Sequence, residues 1–236
     1  MEDVMRRFVL WYGEGEYTPT GTCFDVGGTC SSAIEAYLRG TEAENCGARG
    51  ECSIGNGALM RIYPFVLSHW LAPLENWEEG IDRATALTHA HPRALLTSRI
   101  YALVLLALLK EPAKDAVREA LREAKRRYGG LGEWKHFDRI CSPCFPDLPE
   151  EEIVSSGYAV ATLEAALWCL FTADSYRAAV EKAVNLGGDT DTVAAVTGSL
   201  AGALWGVAAI PRAWMRDLLA GERIDRILSR FAKAHE

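Results

Sequence analysis

The segment 192–207 constrains the fold more than any other part of the sequence. Five apolar residues at helical spacing form one face of it, and Gly198, Gly202 and Gly206 recur every four residues on another. Glycine lowers helix propensity by about 1 kcal/mol relative to alanine, so the repeat predicts that neighbouring backbones pack very close. A helix that is apolar nearly all round is buried, and we expect this one to be central.

Helical periodicity also runs through most of the remaining chain, and the alternation typical of strands is scarce. Pro92 begins a predicted helix that ends at Leu109, and Pro112 opens another that Gly129 ends. We predict an all-α single domain over residues 1–236, with roughly eight to ten helices. The predicted loops lie near residues 40–55, 72–76, 129–156 and 186–190. The stretch 129–156 is the longest of them, and loops of that length often carry function.

Composition excludes several classes of protein. The chain has 236 residues, of which 49% are apolar and 24% charged, so it is neither disordered nor a disulfide-dense miniature. Its formal net charge of -7 makes it a poor general binder of the nucleic-acid backbone, which needs cationic groups. Small anionic ligands stay possible, because backbone amides can hold them.

Cysteine usage and apolar runs indicate a compartment. The longest strongly apolar run, residues 100–109, is too short to span a bilayer, and the first 17 residues lack the pattern of a signal peptide. Seven cysteines, an odd number, suggest reduced thiols and a cytoplasmic location. Cys141 and Cys144 form a CxxC without a second pair at zinc spacing, so we interpret them as loop thiols.

The sharpest candidate for chemistry is the sequence LGGDTDT at residues 186–192, directly before the central helix. Two glycines permit an unusual backbone path, and two carboxylates and two hydroxyls follow. Capping of the helix by Asp or Thr accounts for one or two of these four groups. Two carboxylates and a hydroxyl that converge at a helix start would equally suit Mg²⁺ or Mn²⁺. The residues alone leave capping and metal binding open.

Four weaker features have a structural and a functional interpretation each. The GNG sequence at residues 55–57 is an ordinary turn, or a place where backbone amides meet a phosphate or ribose. Asp25, in the sequence FDVGGT, is a turn acid or another metal oxygen. His89 and His91 cap a helix end or form a metal pair. Tyr158 packs in the core or stacks on an adenine ring.

Taken together and in order, these motifs resemble the ADP-ribosylglycohydrolase family, the group that includes dinitrogenase reductase-activating glycohydrolase. The matching stretches are residues 55–67, 88–94, 157–170 and 185–211. The last is the most specific, because the GGDTDT sequence is followed by a helix of small residues. The match covers the chain from about residue 20 to its end. The resemblance implies the compact all-α orthogonal helical bundle of that family.

The resemblance also implies an activity. The chain would be a metal-dependent hydrolase that removes ADP-ribose by cleaving the bond at the ribose anomeric carbon. Its substrate would be an ADP-ribosylated protein side chain, arginine first, or a small ADP-ribosyl compound, and its cofactor one or two Mg²⁺ or Mn²⁺ ions. Neither nucleic acid nor a membrane is an expected partner. The alternative is a non-catalytic ADP-ribose-binding module derived from this family.

Site residues follow from the resemblance position by position. The implied catalytic residues are Asp25 and Asp189. The implied metal ligands are Asp25, Asp189, Asp191 and Thr192. The implied ligand-binding residues are Gly55, Asn56, Gly57, His91, Gly157, Tyr158, Gly187 and Gly188.

The sequence departs from the family pattern in two places, and both departures affect the implied metal site. The family's N-terminal metal motif is typically Thr-Asp-Asp-Thr, whereas residues 24–29 keep at most one carboxylate of that pair, Asp25. The family usually also has an N-terminal helix with a Gly-Asp-Ala-Leu-Gly-like segment, and nothing like it occurs in residues 1–20. We therefore expect a domain that is short at its N-terminus. Either its metal ligands are rearranged relative to the family, or its catalysis is weakened or lost.

Overall fold

The computed structural model describes residues 1–71 and 76–234. This described part contains eleven α-helices, linked in places by turns of 3₁₀ helix, and no β-strand, which confirms the all-α prediction. The predicted loop near 72–76 lies almost wholly outside the described residues. The helices are α1 (Glu2–Glu14), α2 (Gly28–Leu38), α3 (Tyr63–Leu71), α4 (Trp77–Ala86), α5 (Pro92–Lys110), α6 (Lys114–Tyr128), α7 (Ala159–Thr172), α8 (Tyr176–Asn185), α9 (Thr190–Trp205), α10 (Arg212–Asp217) and α11 (Gly221–Lys233).

Helices α5, α7 and α9 pack against one another at the centre of the bundle. Eleven of the fourteen residues of α7 are buried, among them Leu163 and Leu167, which are fully enclosed. Burying a leucine side chain contributes about 1.5–3 kcal/mol, so this helix is a principal source of stability. Helix α5 is long and apolar enough to cross a membrane, yet ten of its residues are buried among the other helices. That burial is the pattern of a core helix.

Helix boundaries follow the local signals of the sequence. α5 begins at Pro92, as predicted, and α6 ends at Tyr128 with Gly129 as its C-cap. Lys125 and the two arginines after it lie in the last turn of α6, where the helix dipole favours cations. Proline at the first turn costs no hydrogen bond, because that N–H has no partner within the helix.

The glycines of α9 do not share one role. A Cβ at Gly198 would lie 3.3 Å from the Tyr176 hydroxyl, so this position does bring α8 and α9 together. A Cβ at Gly202 would meet no described atom within 4 Å, and Gly206 ends the helix with a φ of +78°. The prediction that the glycine repeat reflects close backbone packing is therefore wrong for Gly202 and Gly206. Spacing alone does not distinguish a packing glycine from a capping one.

We expect Gly202→Ala to stabilise the protein by about 0.5–1 kcal/mol, because alanine favours the helix and the space beside it is open. Urea unfolding of the variant and the wild type would measure the difference. Gly206→Ala is the matched control: its positive φ is strained for alanine, so this variant should lose stability. A loss of stability in both variants would contradict the conclusion that Gly202 has no packing role.

The stretch predicted as a long loop, 129–156, is packed rather than irregular. Phe137 and Phe145 are fully enclosed in the core, and Trp134 and Ile140 are buried beside them. Burial raises the pKa of the Cys141 thiol to about 11, while Cys144 is exposed. The turns of 3₁₀ helix in this stretch are Gly132–His136, Asp138–Cys141, Phe145–Asp147 and Glu150–Glu152. The described structure therefore gives this stretch a role in packing.

Candidate active site

The site is built on a turn fixed against the start of α7. The amide of Asn56, at the centre of the Gly-Asn-Gly turn, donates to the carbonyl of Gly157 at 2.9 Å. The amide of Ala159 donates to the carbonyl of Ile54 at 3.0 Å. These two bonds join segments about a hundred residues apart and fix the turn beside the N-terminus of α7.

The side chain of Asn56 connects three parts of the chain. Its Nδ2 donates to the Asp189 carboxylate at 2.7 Å and to the Thr162 hydroxyl at 2.8 Å. Asn56 is only 8% exposed, so these hydrogen bonds are shielded from water. Asp189 is the N-cap of α9, but its side chain makes no capping hydrogen bond. Capping alone therefore does not explain this carboxylate, because its short hydrogen bond comes from Asn56, which is remote in sequence.

Two glycines carry the backbone into that position. Gly187 and Gly188 have φ angles of +73° and +62°, in the left-handed region that favours glycine. A Cβ at Gly188 would overlap the carbonyl oxygen of Ser155. Only glycine lets these two loops approach so closely, and the approach sets Asp189 beside Asn56.

A cavity of about 740 Å³ opens beside the Asn56–Asp189 contact. That volume is in the range of small-molecule and cofactor sites, roughly 300–1,000 Å³. Residues of α1 and the start of α2 form one wall, and the turn before α9 forms another. Eight of the predicted site residues line it: Asp25, Gly55, Asn56, Gly57, Gly157, Asp189, Asp191 and Thr192.

Four predicted site residues are not among the described residues that line this cavity: His91, Tyr158, Gly187 and Gly188. His91 Nδ1 accepts a hydrogen bond from the Arg93 amide at 3.1 Å and caps α5, and its Nε2 lies 3.3 Å from the Glu51 carboxylate. The Tyr158 hydroxyl accepts from Arg93 Nη1 at 3.4 Å. The predicted roles of His91 and Tyr158 next to a ligand stay predictions.

The whole chain, residues 1–236, matches the family model described as ADP-ribosylglycohydrolase. The chain belongs to the ADP-ribosylglycohydrolase family. The sequence resemblance is thereby confirmed, and so is the fold, because a solved structure described as an ADP-ribosylglycohydrolase-related protein complex superposes with a TM-score of 0.81. The two are 32% identical, and the match covers 100% of this chain and 74% of that one.

Relatives within the ADP-ribosylglycohydrolase family are longer than this chain. ADP-ribosylarginine hydrolase Tri1 of Pseudomonas putida (strain GB-1) is 32% identical over 225 residues, which cover 93% of this chain and 56% of the relative. ADP-ribosyl-[dinitrogen reductase] glycohydrolase of Rhodospirillum rubrum is 31% identical over 218 residues, covering 92% of this chain and 65% of the relative. The chain thus spans between half and two thirds of the length of these curated relatives.

Asp189 is held as a carboxylate in this family member. Burial alone raises the pKa of Asp189, but the hydrogen bond from Asn56, together with the polar groups of Thr192 and Asp191, outweighs burial and lowers it below its ordinary value. The group is therefore ionised at neutral pH. An ionised carboxylate is suited to stabilising positive charge or accepting a proton, and unsuited to donating one.

The predicted metal ligands lie along one cavity without forming a cluster. Across residues 1–71 and 76–234, no three His, Cys, Asp or Glu side chains are grouped closely enough to hold an ion. The Asp189 carboxylate also already accepts a hydrogen bond from Asn56. Because Mg²⁺ needs several oxygen ligands in octahedral array, this donor set as placed does not fit a complete protein site for Mg²⁺ or Mn²⁺.

Sequence reasoning missed the cationic and aromatic side of the cavity. His89 lines it, whereas His91, which the resemblance selected, does not. Arg61 also lines it, and so do Phe8 and Trp11 of α1. Two histidines that flank one alanine before a proline give no signal of which one faces a ligand. An aromatic helix face looks the same whether it covers a core or a cavity.

His89 is a buried neutral histidine. It is 2% exposed, and its Nδ1 shares a hydrogen bond with the Thr88 hydroxyl at 2.6 Å. Burial, and then the nearby charge of Arg61, lowers the pKa of His89 from 6.5 to about 3. At neutral pH the ring can therefore offer one donor and one acceptor, but no charge.

This burial predicts a loss of stability in acid. The unfolded chain takes up a proton on His89 near pH 6.5, while the folded chain does so only near pH 3, so stability falls as the pH drops through this window. Between pH 6.5 and 4.5 the loss is about 2 kcal/mol, because His89 of the unfolded chain is already half protonated at pH 6.5. Urea unfolding at both pH values would measure the decrease in the free energy of unfolding. We expect this decrease to be smaller by about the same amount in His89→Gln than in the wild type. The same pH dependence in wild type and variant would contradict the prediction.

Proposed function

We propose that this chain is a hydrolase that removes ADP-ribose from a modified protein side chain, arginine first, by cleaving the bond at the ribose anomeric carbon. The observation that carries the proposal is the Asn56–Asp189 contact, which fixes an ionised carboxylate in the wall of a cavity of about 740 Å³. The names of the relatives, ADP-ribosylarginine hydrolase and ADP-ribosyl-[dinitrogen reductase] glycohydrolase, support the substrate class.

The carboxylates supply what the transition state needs. Breaking a bond at an anomeric carbon develops positive charge on the ribose ring, in an oxocarbenium-like transition state. Asp189 is already ionised and oriented by Asn56, so no reorganisation is needed when that charge forms. Asp25 and Asp191 line the same cavity and add negative potential.

The atoms balance as a hydrolysis. The oxygen of a water molecule bonds to the anomeric carbon, and the bond from that carbon to the arginine nitrogen breaks. One proton of the water passes to the Asp25 or Asp191 carboxylate, and that carboxyl group then gives the proton to the departing guanidine nitrogen, which restores the carboxylate. Asp25 and Asp191 are exposed, so water can reach either of them. Binding of the remote ADP portion in the cavity would position the bond to be broken.

Dependence on Mg²⁺ or Mn²⁺ stays a prediction from the resemblance. The step above uses only groups of this chain and water, because the described residues do not form a cluster of three metal ligands. A cytoplasmic location is likewise a proposal, which the seven free thiols support.

The test is release of ADP-ribose by the purified chain. ADP-ribosylated peptides with arginine, serine or acetyl linkage would be incubated with Mg²⁺, with Mn²⁺ and with a chelator, and free ADP-ribose separated by chromatography. We expect release from the arginine-linked peptide. No release, combined with ADP-ribose binding that is insensitive to chelation, would favour the non-catalytic binding module. If the chain neither releases nor binds ADP-ribose, the hydrolase and the binding module are both contradicted.

A further inference from the structure

Arg61 is a half-buried charged side chain without an Asp or Glu partner among the described residues. It ends the 3₁₀ turn Leu59–Arg61, which follows the Gly-Asn-Gly turn, and it is one of the residues that line the cavity. Its Nη1 donates to the carbonyl of Gly57, and its Nη2 donates to the Thr88 hydroxyl at 2.8 Å and to the Ala84 carbonyl at 3.3 Å. All three acceptors are neutral. Arg61 forms no ion pair with any Asp or Glu of residues 1–71 and 76–234.

Two of the five N–H donors of Arg61, the Nε–H and the second N–H of Nη1, make none of these hydrogen bonds. Its Nε–H is buried and has no hydrogen-bond partner among the described residues. The Phe8 ring covers one face of the guanidinium, with 5.0 Å between the guanidinium carbon and the ring centroid. Burial lowers the pKa of Arg61, although arginine stays protonated at working pH. Buried charges in proteins are normally paired, because an unpaired one is costly to desolvate.

The charges of the cavity are divided by the Gly-Asn-Gly turn. On one side Asn56 binds Asp189, and on the other the Gly57 carbonyl binds Arg61. His89 lies on the Arg61 side, and its Nε2 is 3.1 Å from the place a Cβ of Gly55 would occupy. The Thr88 oxygen accepts from Arg61, so its own proton is free for His89 Nδ1. His89 Nε2 then carries the ring N–H.

We propose that Arg61 is the charge partner of an anionic group on the ligand, with the neutral N–H of His89 as a second donor beside it. The anion supplies the negative charge that the described protein does not. For ADP-ribose this group is the diphosphate, so the inference rests on the proposed function and deepens it. The rival interpretation is that Arg61 only clamps the turn to α4 and the segment after it.

Isothermal titration calorimetry with ADP-ribose, inorganic pyrophosphate and adenosine distinguishes the anion-binding role of Arg61 from the purely structural one. ADP-ribose and inorganic pyrophosphate carry the anion, and adenosine does not. In Arg61→Gln, which keeps hydrogen-bond donors but loses the charge, we expect at least tenfold weaker binding of both anions and adenosine binding within twofold of wild type. Arg61→Lys should retain more anion affinity than Arg61→Gln. The surface variant Arg122→Gln, whose arginine pairs with Glu119 on α6, is the control.

Each result decides a separate question. Equal losses for all three probes in Arg61→Gln would overturn the proposal in favour of the clamp. Pyrophosphate binding that needs Arg61, without ADP-ribose binding, would support the anion site and contradict the proposed function. If Arg61→Gln does not fold, the wild type decides: ADP-ribose affinity at least tenfold above adenosine affinity and weakened by salt supports the proposal, and equal affinities overturn it.

Discussion

Asp189→Asn is expected to lower the rate of ADP-ribose release by roughly 10²–10³-fold while the protein stays folded. An asparagine at this position keeps the shape of the side chain and can still accept the hydrogen bond from Asn56. It removes the negative charge that would stabilise the developing positive charge on the ribose, and it replaces one carboxylate oxygen with an NH₂ group. The measurement is kcat on an ADP-ribosylated arginine peptide, with circular dichroism and Tm for folding.

The matched control is Asp174→Asn, because Asp174 is an exposed aspartate between α7 and α8. Its activity should equal that of the wild type. A second comparison is Asn56→Ala, which removes the donor that orients Asp189 and should lower activity while adding a loss of stability. If Asp189→Asn is as active as the wild type, Asp189 does not carry the reaction.

Gly188→Ala is expected to destabilise the protein by about 3 kcal/mol or more and to abolish ADP-ribose binding. The added Cβ would overlap the Ser155 carbonyl, and the φ of +62° is itself unfavourable for alanine. The loop must move to relieve the overlap, and Asp189 moves with it. Thermal unfolding and calorimetry with ADP-ribose would measure the two effects.

Gly187→Ala separates backbone strain from overlap. Gly187 also has a positive φ, +73°, but a Cβ there would meet no described atom within 4 Å. It should therefore cost only the strain of the left-handed conformation, about 1–2 kcal/mol, and retain binding. Similar effects in the two variants would show that the close approach to Ser155 is not what holds the loop.

Local signals predicted the parts of the fold that depend on neighbours in sequence. The start of α5 at Pro92, the end of α6 before Gly129 and the buried face of α7 all follow from propensity, capping and periodicity. The LGGDTDT sequence at residues 186–192 predicted the start of α9 to within two residues, because the helix begins inside this sequence at Thr190 rather than after it. The packing of residues 129–156 was not predictable, because 3₁₀ turns of three to five residues are too short to show a periodic pattern of apolar residues in the sequence.

The site depends on contacts that no local pattern contains. Asn56 binds Asp189 across 133 residues and Thr162 across 106 residues. The packing of other helices decides which histidine faces the cavity. It also decides whether a basic residue such as Arg61 lies next to a carboxylate or next to neutral acceptors. The family resemblance supplied Asn56 and Asp189, but not the cationic side of the cavity or the role of Gly188.

A crystal structure of the chain with ADP-ribose added is the most direct measurement. We expect the ligand in the cavity beside Asn56, with its distal ribose next to Asp189 and its diphosphate within hydrogen-bond distance of Arg61. Electron density for ADP-ribose at any other surface, with this cavity empty at saturating ligand, would contradict the assignment of the cavity as the ADP-ribose site.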